Sequence, residues 1–138
     1  NNNKRLYPLI DELLNHMNRI NMDYTNTFWS LSQAKTNKNR LTNDSGFKLW
    51  EKKWRYKIKT ISNTYEVKSI MKKNNPIVIP RNHLVEEAIE KAINGSLSSF
   101  QKLLEIVSMP YQKQDGIDKF MKPPEANFEE KFQTYCET

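Results

Sequence analysis

Apolar side chains recur at steps of three and four residues through most of this chain, and that spacing leaves little room for anything but helix. The longest series is Phe47, Trp50, Trp54, Ile58, Ile61 and Tyr65. A 3.6-residue period puts all six on one face. Lys48, Lys52, Lys53, Arg55 and Lys59 largely fall elsewhere on the wheel. The spacing predicts one amphipathic helix from about residue 47 to 73, stopped by Asn74, Asn75 and Pro76. Leu6, Leu9, Ile10, Leu13, Leu14, Met17 and Ile20 predict an earlier helix, with Pro8 in its first turn where a missing N–H matters least. Asp23 is placed to cap a second, short helix carrying Phe28 and Leu31. Residues 35–45 are polar and aperiodic and read as a loop.

Residues 77–80, Ile-Val-Ile-Pro, are too short for a good strand, and Pro80 forbids central pairing. They read as an extended connector packed on the core. Asn82 is then expected to cap a helix whose inward stripe is Leu84, Val85, Ala88, Ile89, Ala92 and Ile93, ended by Asn94-Gly95. Ser96 is expected to cap a further helix with Leu97, Phe100, Leu103, Leu104 and Val107 inward, closed by Pro110. The stretch 112–127, with Gly116 and Pro123-Pro124, reads as a Pro-containing loop, and 128–138 as a terminal helix and Cys-containing tail. The fold class that follows is all-α: an irregular bundle of about five or six helices with one extended connector, in a single domain over 1–138.

The chain has 138 residues, 37% apolar and 28% charged, with 3 Gly and 6 Pro. That is enough for one domain with a real core, and it excludes collagen-like, low-complexity and fully disordered classes. No run approaches the length of a membrane span, and no secretory signal pattern opens the chain. Its first residue is Asn1, which suggests a piece of a longer protein. Net charge is +6 and unevenly spread: residues 1–80 hold 15 basic and 6 acidic side chains, residues 81–138 hold 7 and 10. A basic half can attract nucleic acid, an anionic membrane or an acidic partner. No recognition motif accompanies the charge, so the plainer reading is a solvated helix face.

Cys136 is the sole cysteine, which excludes an internal disulfide framework and fits a reducing, cytoplasmic setting. With His16 and His83 the only histidines, no zinc cluster forms from the sequence. Three isolated glycines make no glycine-rich phosphate loop, and neither a nucleophile elbow nor a kinase catalytic-loop pattern occurs. The acid pairs Glu86-Glu87 and Glu129-Glu130 are adjacent, so on a helix they point apart and share no site. No catalytic, cofactor-binding or metal-binding residue is therefore expected in this chain.

Four features remain. The basic aromatic helix of residues 48–59 has the composition for stacking on bases and contacting phosphate, but Trp50 and Trp54 lie on the apolar stripe, where buried rings cannot stack. His83 titrates near neutral pH, yet in a helix's first turn it more simply bonds locally. Arg81 can pair with Glu86 or reach another domain, and the sequence does not decide between them. Cys136, third from the end, is either an accessible reactive thiol or an inert one beside Phe132 and Tyr135.

The segment from Asn74 to Tyr111 resembles the C-terminal region of the selenoprotein O family. Asn75, Pro76, Arg81, Asn82, His83, Glu86, Phe100, Leu103, Leu104, Pro110 and Tyr111 follow the family pattern in order. Pro123-Pro124 and Tyr135-Cys136-Glu137-Thr138 resemble its double proline and Cys-containing tail. Residues 23–31 and the Trp50/Trp54-Arg55 helix are similar as well, so the resemblance covers most of the chain. Trp29 stands where the family often has Arg, and Glu137 where a small residue is commoner, which weakens any role carried onto those positions.

The resemblance implies a parent protein with a kinase-like fold that moves AMP from ATP, with a divalent metal such as Mg²⁺, onto hydroxyl side chains of proteins. The ATP- and metal-binding residues of the family lie upstream of anything here, so none is carried over. Several members place selenocysteine third from the end, where Cys136 stands, and some bacterial members are thought to pair the tail cysteine with one in the kinase-like part. The expectation is a non-catalytic C-terminal accessory domain, partnered by the upstream core, with Cys136 as a redox thiol and Lys52, Lys53 and Arg55 as a docking face. Protein substrates belong to the parent; no membrane partner is expected and nucleic acid is disfavoured. The rivals are a small basic nucleic-acid-binding module and a plain helical scaffold.

Overall fold

The computed structural model describes residues 7–33, 42–125 and 128. Among these residues the chain is all-helical, with seven helices and no strand: α1 Tyr7–Arg19, α2 Tyr24–Leu31, α3 Ser45–Ile61, α4 Thr64–Asn74, α5 Asn82–Ile93, α6 Ser98–Val107 and α7 Asp118–Met121. The chain divides into two compact units, residues 1–76 and 77–138. Residues 77–80 carry no charge, so the change of sign in the sequence coincides with this boundary.

The first unit holds α1 to α4. Its core is Leu13, Met17, Leu31, Phe47 and Trp50, with Phe28, Trp54 and Met71 packed against it. Asp23 caps α2 as expected, its carboxylate accepting the Asn26 N–H at 2.8 Å. Asp44 does the same for α3 through the Phe47 N–H at 2.8 Å. The α1 stripe is narrower than its spacing predicts: Leu13 and Met17 are buried, while Ile10 and Leu14 stand exposed.

The single helix predicted over 47–73 is two helices. Ser62 is extended (φ −154°), and the Asn63 side chain accepts the Glu66 N–H, opening α4. A side-chain acceptor followed three residues later by Glu is a helix-start signal. Here it prevails over apolar stepping that runs on through Ile61 and Tyr65, both of which are solvent-exposed.

The second unit holds α5 to α7. Ile77 and Val78 of the predicted connector are buried, and the Ile77 N–H donates to the Pro110 carbonyl at 2.7 Å. This bond fastens the extended run to the end of α6. Arg81, and not Asn82, occupies the cap position of α5, without a side-chain capping bond. Leu97, and not Ser96, does so for α6. The turn between them is as expected: Gly95 has φ +88°, and the Ser96 N–H reaches back to the Lys91 carbonyl at 2.8 Å, closing α5 through a left-handed residue.

Two expectations for this unit need correction. Of the residues predicted to face inward, Leu84, Ala88 and Leu103 are buried, whereas Ile89, Ile93, Leu97, Phe100 and Leu104 are not. The apolar stripe is wider than the surface this unit can cover. The loop over 112–127 contains the single turn α7, held because Ile117 and Phe120, three residues apart, are both buried. The expected terminal helix and tail, 128–138, lie outside the described residues apart from Phe128.

Candidate functional site

The basic aromatic helix is α3. Trp50 is 1% exposed, and its indole N–H donates to the Leu9 carbonyl at 2.8 Å. A buried indole normally finds such a partner. Trp54 is half-buried and stacks on Trp50, with ring centroids 5.8 Å apart and planes 12° from parallel. Both rings therefore serve the core of the first unit.

The three basic side chains singled out on this helix do not share a face. Lys52 and Lys53 line an open groove of about 660 Å³ between α1 and α3, with Pro8, Leu9, Leu49 and Tyr56. Lys53 bridges to Glu12 at 3.0 Å. Arg55 turns away. It pairs with Glu51 at 2.7 Å, its guanidinium sits 5.2 Å from the Trp54 ring centre, and it borders a different cavity with Ile58 and Met71. The helix thus offers Lys52 and Lys53 on one side, over an apolar floor, and a tied-down arginine on the other.

Nothing in the local sequence pattern brings Arg19 and Asp44 together. Their ion pair, 2.6 Å, joins the end of α1 to the start of α3. The Arg19 bond, then the Phe47 N–H, lowers the Asp44 carboxyl from 3.8 to about 2. The local signal for half of this arrangement is an Asp placed just before an apolar-periodic run.

The family-motif residues fall in both units. Asn75 closes α4, its side-chain amide donating to the Met71 carbonyl at 2.8 Å, and Pro76 follows it. In the second unit Arg81 is buried and donates to the Met121 carbonyl at 3.0 Å. That fixes α7 against the start of α5, and answers whether Arg81 turns to Glu86. Asn82 and Glu86 are exposed. Pro110 holds the connector through its carbonyl, as above, and Tyr111 is half-exposed.

His83 does not bond locally. Its Nδ1 is buried without a hydrogen-bond partner among the described residues, and its ring meets the Phe128 ring nearly edge-on at 5.7 Å. Burial, and then the neighbouring Arg81 charge, pull its pKa below the usual 6.5. Glu87, one turn on, pairs with Lys91 at 2.6 Å and Lys119 at 3.3 Å. These bonds, the one to Lys91 first, hold its carboxyl below the ordinary value. Arg81, His83 and Pro110 therefore act within the second unit as joints between its segments. Cys136 lies outside the described residues.

No three His, Cys, Asp or Glu side chains among the described residues converge to hold a metal ion. The two glycines with positive φ, Gly95 and Gly116, sit in separate turns, so their backbone amides form no common phosphate cradle. Nor is any described helix long and apolar enough to cross a membrane.

Comparison with known proteins places these joints in a family. The family model described as "Protein adenylyltransferase SelO" matches residues 1–108. The "Protein nucleotidyltransferase YdiU" of Pelagibacter ubique (strain HTCC1062) is 40% identical over 131 residues, 94% of this chain and 27% of the relative. That of Clostridium perfringens (strain 13 / Type A) is 37% identical over 94% of this chain and 26% of the relative. That of Bacillus cereus (strain G9842) is 40% identical over 95% and 27%. The chain spans about a quarter of the length of these relatives. It belongs to the SelO family of protein adenylyltransferases.

Proposed function

We propose that this chain is the non-catalytic C-terminal accessory region of a protein adenylyltransferase. In this reading the upstream kinase-like core binds ATP and a divalent metal, Mg²⁺ in the first instance. It transfers AMP to hydroxyl side chains of proteins, the target oxygen displacing pyrophosphate at the α-phosphorus. The observation that carries the reading is the family match over most of this chain against only about a quarter of the relatives' length. The sequence supports it, because it lacks a phosphate loop and a nucleophile motif. So does the structure, where the motif residues Arg81 and Pro110 hold segments of the second unit together.

The groove carrying Lys52 and Lys53 is where an acidic surface of the core would meet this region. Arg55 contributes through Glu51 and Trp54, and not by direct contact. The nucleic-acid reading loses its main support, since a Trp50 buried to 1% exposure offers no stacking face. Cys136 is the regulatory thiol of this proposal: it forms a disulfide with a cysteine of the core, with an oxidised glutathione-type disulfide taking up the two electrons.

Labelled-ATP transfer assays test the reading. The 138-residue chain alone is expected to move no AMP, and the longer polypeptide to modify itself or added protein. Transfer by the chain alone would overturn it. In the longer polypeptide, Cys136→Ser is expected to abolish the response of AMP transfer to oxidant; an unchanged response removes the thiol from the account.

A further inference from the structure

One face of the second unit is apolar and uncovered. Ile89 is 46% exposed, Ile93 81%, Leu97 57%, Phe100 49% and Leu104 53%. α5 and α6 pack on each other and are joined only by residues 94–97, so they run antiparallel. On each helix the exposed stripe leads the buried one by one residue: Ile89 follows Ala88, and Leu104 follows Leu103. One residue is about 100° of rotation. In an antiparallel pair with buried stripes turned inward, equal displacements on the two helices come out on the same side. The five side chains therefore form one patch, flanked along the helices by the exposed Glu86, Glu90 and Glu105. Apolar patches with polar rims are characteristic of protein-binding surfaces.

We infer that this face is the seat on which the longer polypeptide docks, through an apolar surface with a basic border. The inference rests on the accessory-region reading above. The occupant follows from length and charge. The aligned stretch is only 27% of the first relative, so most of such a protein lies outside this chain and is available to cover the patch. The acidic Glu86, Glu90 and Glu105 flank it, in a segment with 7 basic and 10 acidic residues. That charge repels an anionic bilayer, and a two-fold pairing would set the same net-negative segment against itself. Burial of five large apolar side chains also outweighs what exposed lysines in the α1–α3 groove supply at physiological salt. The apolar face therefore sets affinity, and the lysines set orientation.

Hydrogen exchange over residues 85–108 tests this, in the 138-residue chain and in the longer polypeptide containing it. The expected result is exchange at least about tenfold slower in the longer polypeptide, with the fast rate restored there by Ile93→Asp or Phe100→Asp. Ile93→Asp is expected to leave the melting temperature of the 138-residue chain unchanged, because that side chain is already 81% exposed. Equal exchange in the two contexts overturns the inference, as does slowing that depends on the concentration of the short chain, which would mean a second copy. The readout needs no AMP transfer. Slowed exchange in a polypeptide without transferase activity would leave the docking face standing and remove the accessory-transferase reading, while active transfer with unslowed exchange would do the reverse.

Discussion

Trp50 fills the centre of the first unit with its ring and closes the α1–α3 contact with its indole N–H, and substitution separates the two roles. Trp50→Ala removes both and is expected to destabilise the chain by about 3–5 kcal/mol. Trp50→Phe keeps most of the ring but leaves the Leu9 carbonyl without its donor, at about 1–3 kcal/mol. Urea unfolding of the two variants measures both; no loss in Trp50→Phe would mean that the hydrogen bond contributes nothing, and equal losses that the ring's burial adds nothing to it. Asp44 and His83 set opposite ends of the pH response. The Asp44 carboxyl is lowered to about 2, so its contribution is complete above its ordinary value of 3.8 and is lost as pH falls toward 2. His83 is also lowered, but it is a base. The unfolded chain takes up the proton more readily, so stability falls as pH drops below about 6.5. In thermal unfolding, Asp44→Asn is expected to flatten the acid limb and His83→Gln the limb near pH 6. A near-neutral slope that His83→Gln leaves intact would contradict the burial of that ring.

At the scale of elements, the helices were legible wherever one signal acted alone. Asp23 before Phe28, Gly95 after Ile93 and the Phe47–Trp50–Trp54 stripe each say one thing, and the structure agrees. The break between α3 and α4 was missed because two signals compete at Ser62–Asn63: the apolar steps continue, while a side-chain cap starts a new helix. Asn63→Ala is expected to remove about 1 kcal/mol by leaving the Glu66 N–H unpaired, with loss of helix near α4 in exchange measurements. An unchanged midpoint would mean that the break is fixed by packing and not by the cap. Likewise the width of the α5 and α6 stripes was legible, but not how much of each this unit covers. Periodicity tells which side chains share a face, and only the neighbours present decide which of them leave water. The pairing of Arg81 with Met121 was not legible at all, because it joins residues 40 apart through a backbone carbonyl.

For the whole molecule, the sequence places its charge with the architecture: the basic segment and the acidic one are the two compact units. The family resemblance was legible because it rests on ordered residues, several of which prove to be joints: Arg81 on α7, Pro110 on the connector, Asn75 at the end of α4. The proposed accessory role accounts for a surface that leaves Ile93 and Leu97 in water, in a chain that spans about a quarter of its relatives' length. That claim is tested most directly by calorimetric titration of the 138-residue chain with ATP and Mg²⁺, alone and again with the separately expressed upstream region. The account predicts no heat from nucleotide with the chain alone, and a binding isotherm between the two polypeptides. Saturable ATP binding by the chain alone, or no association with the upstream region, would contradict it.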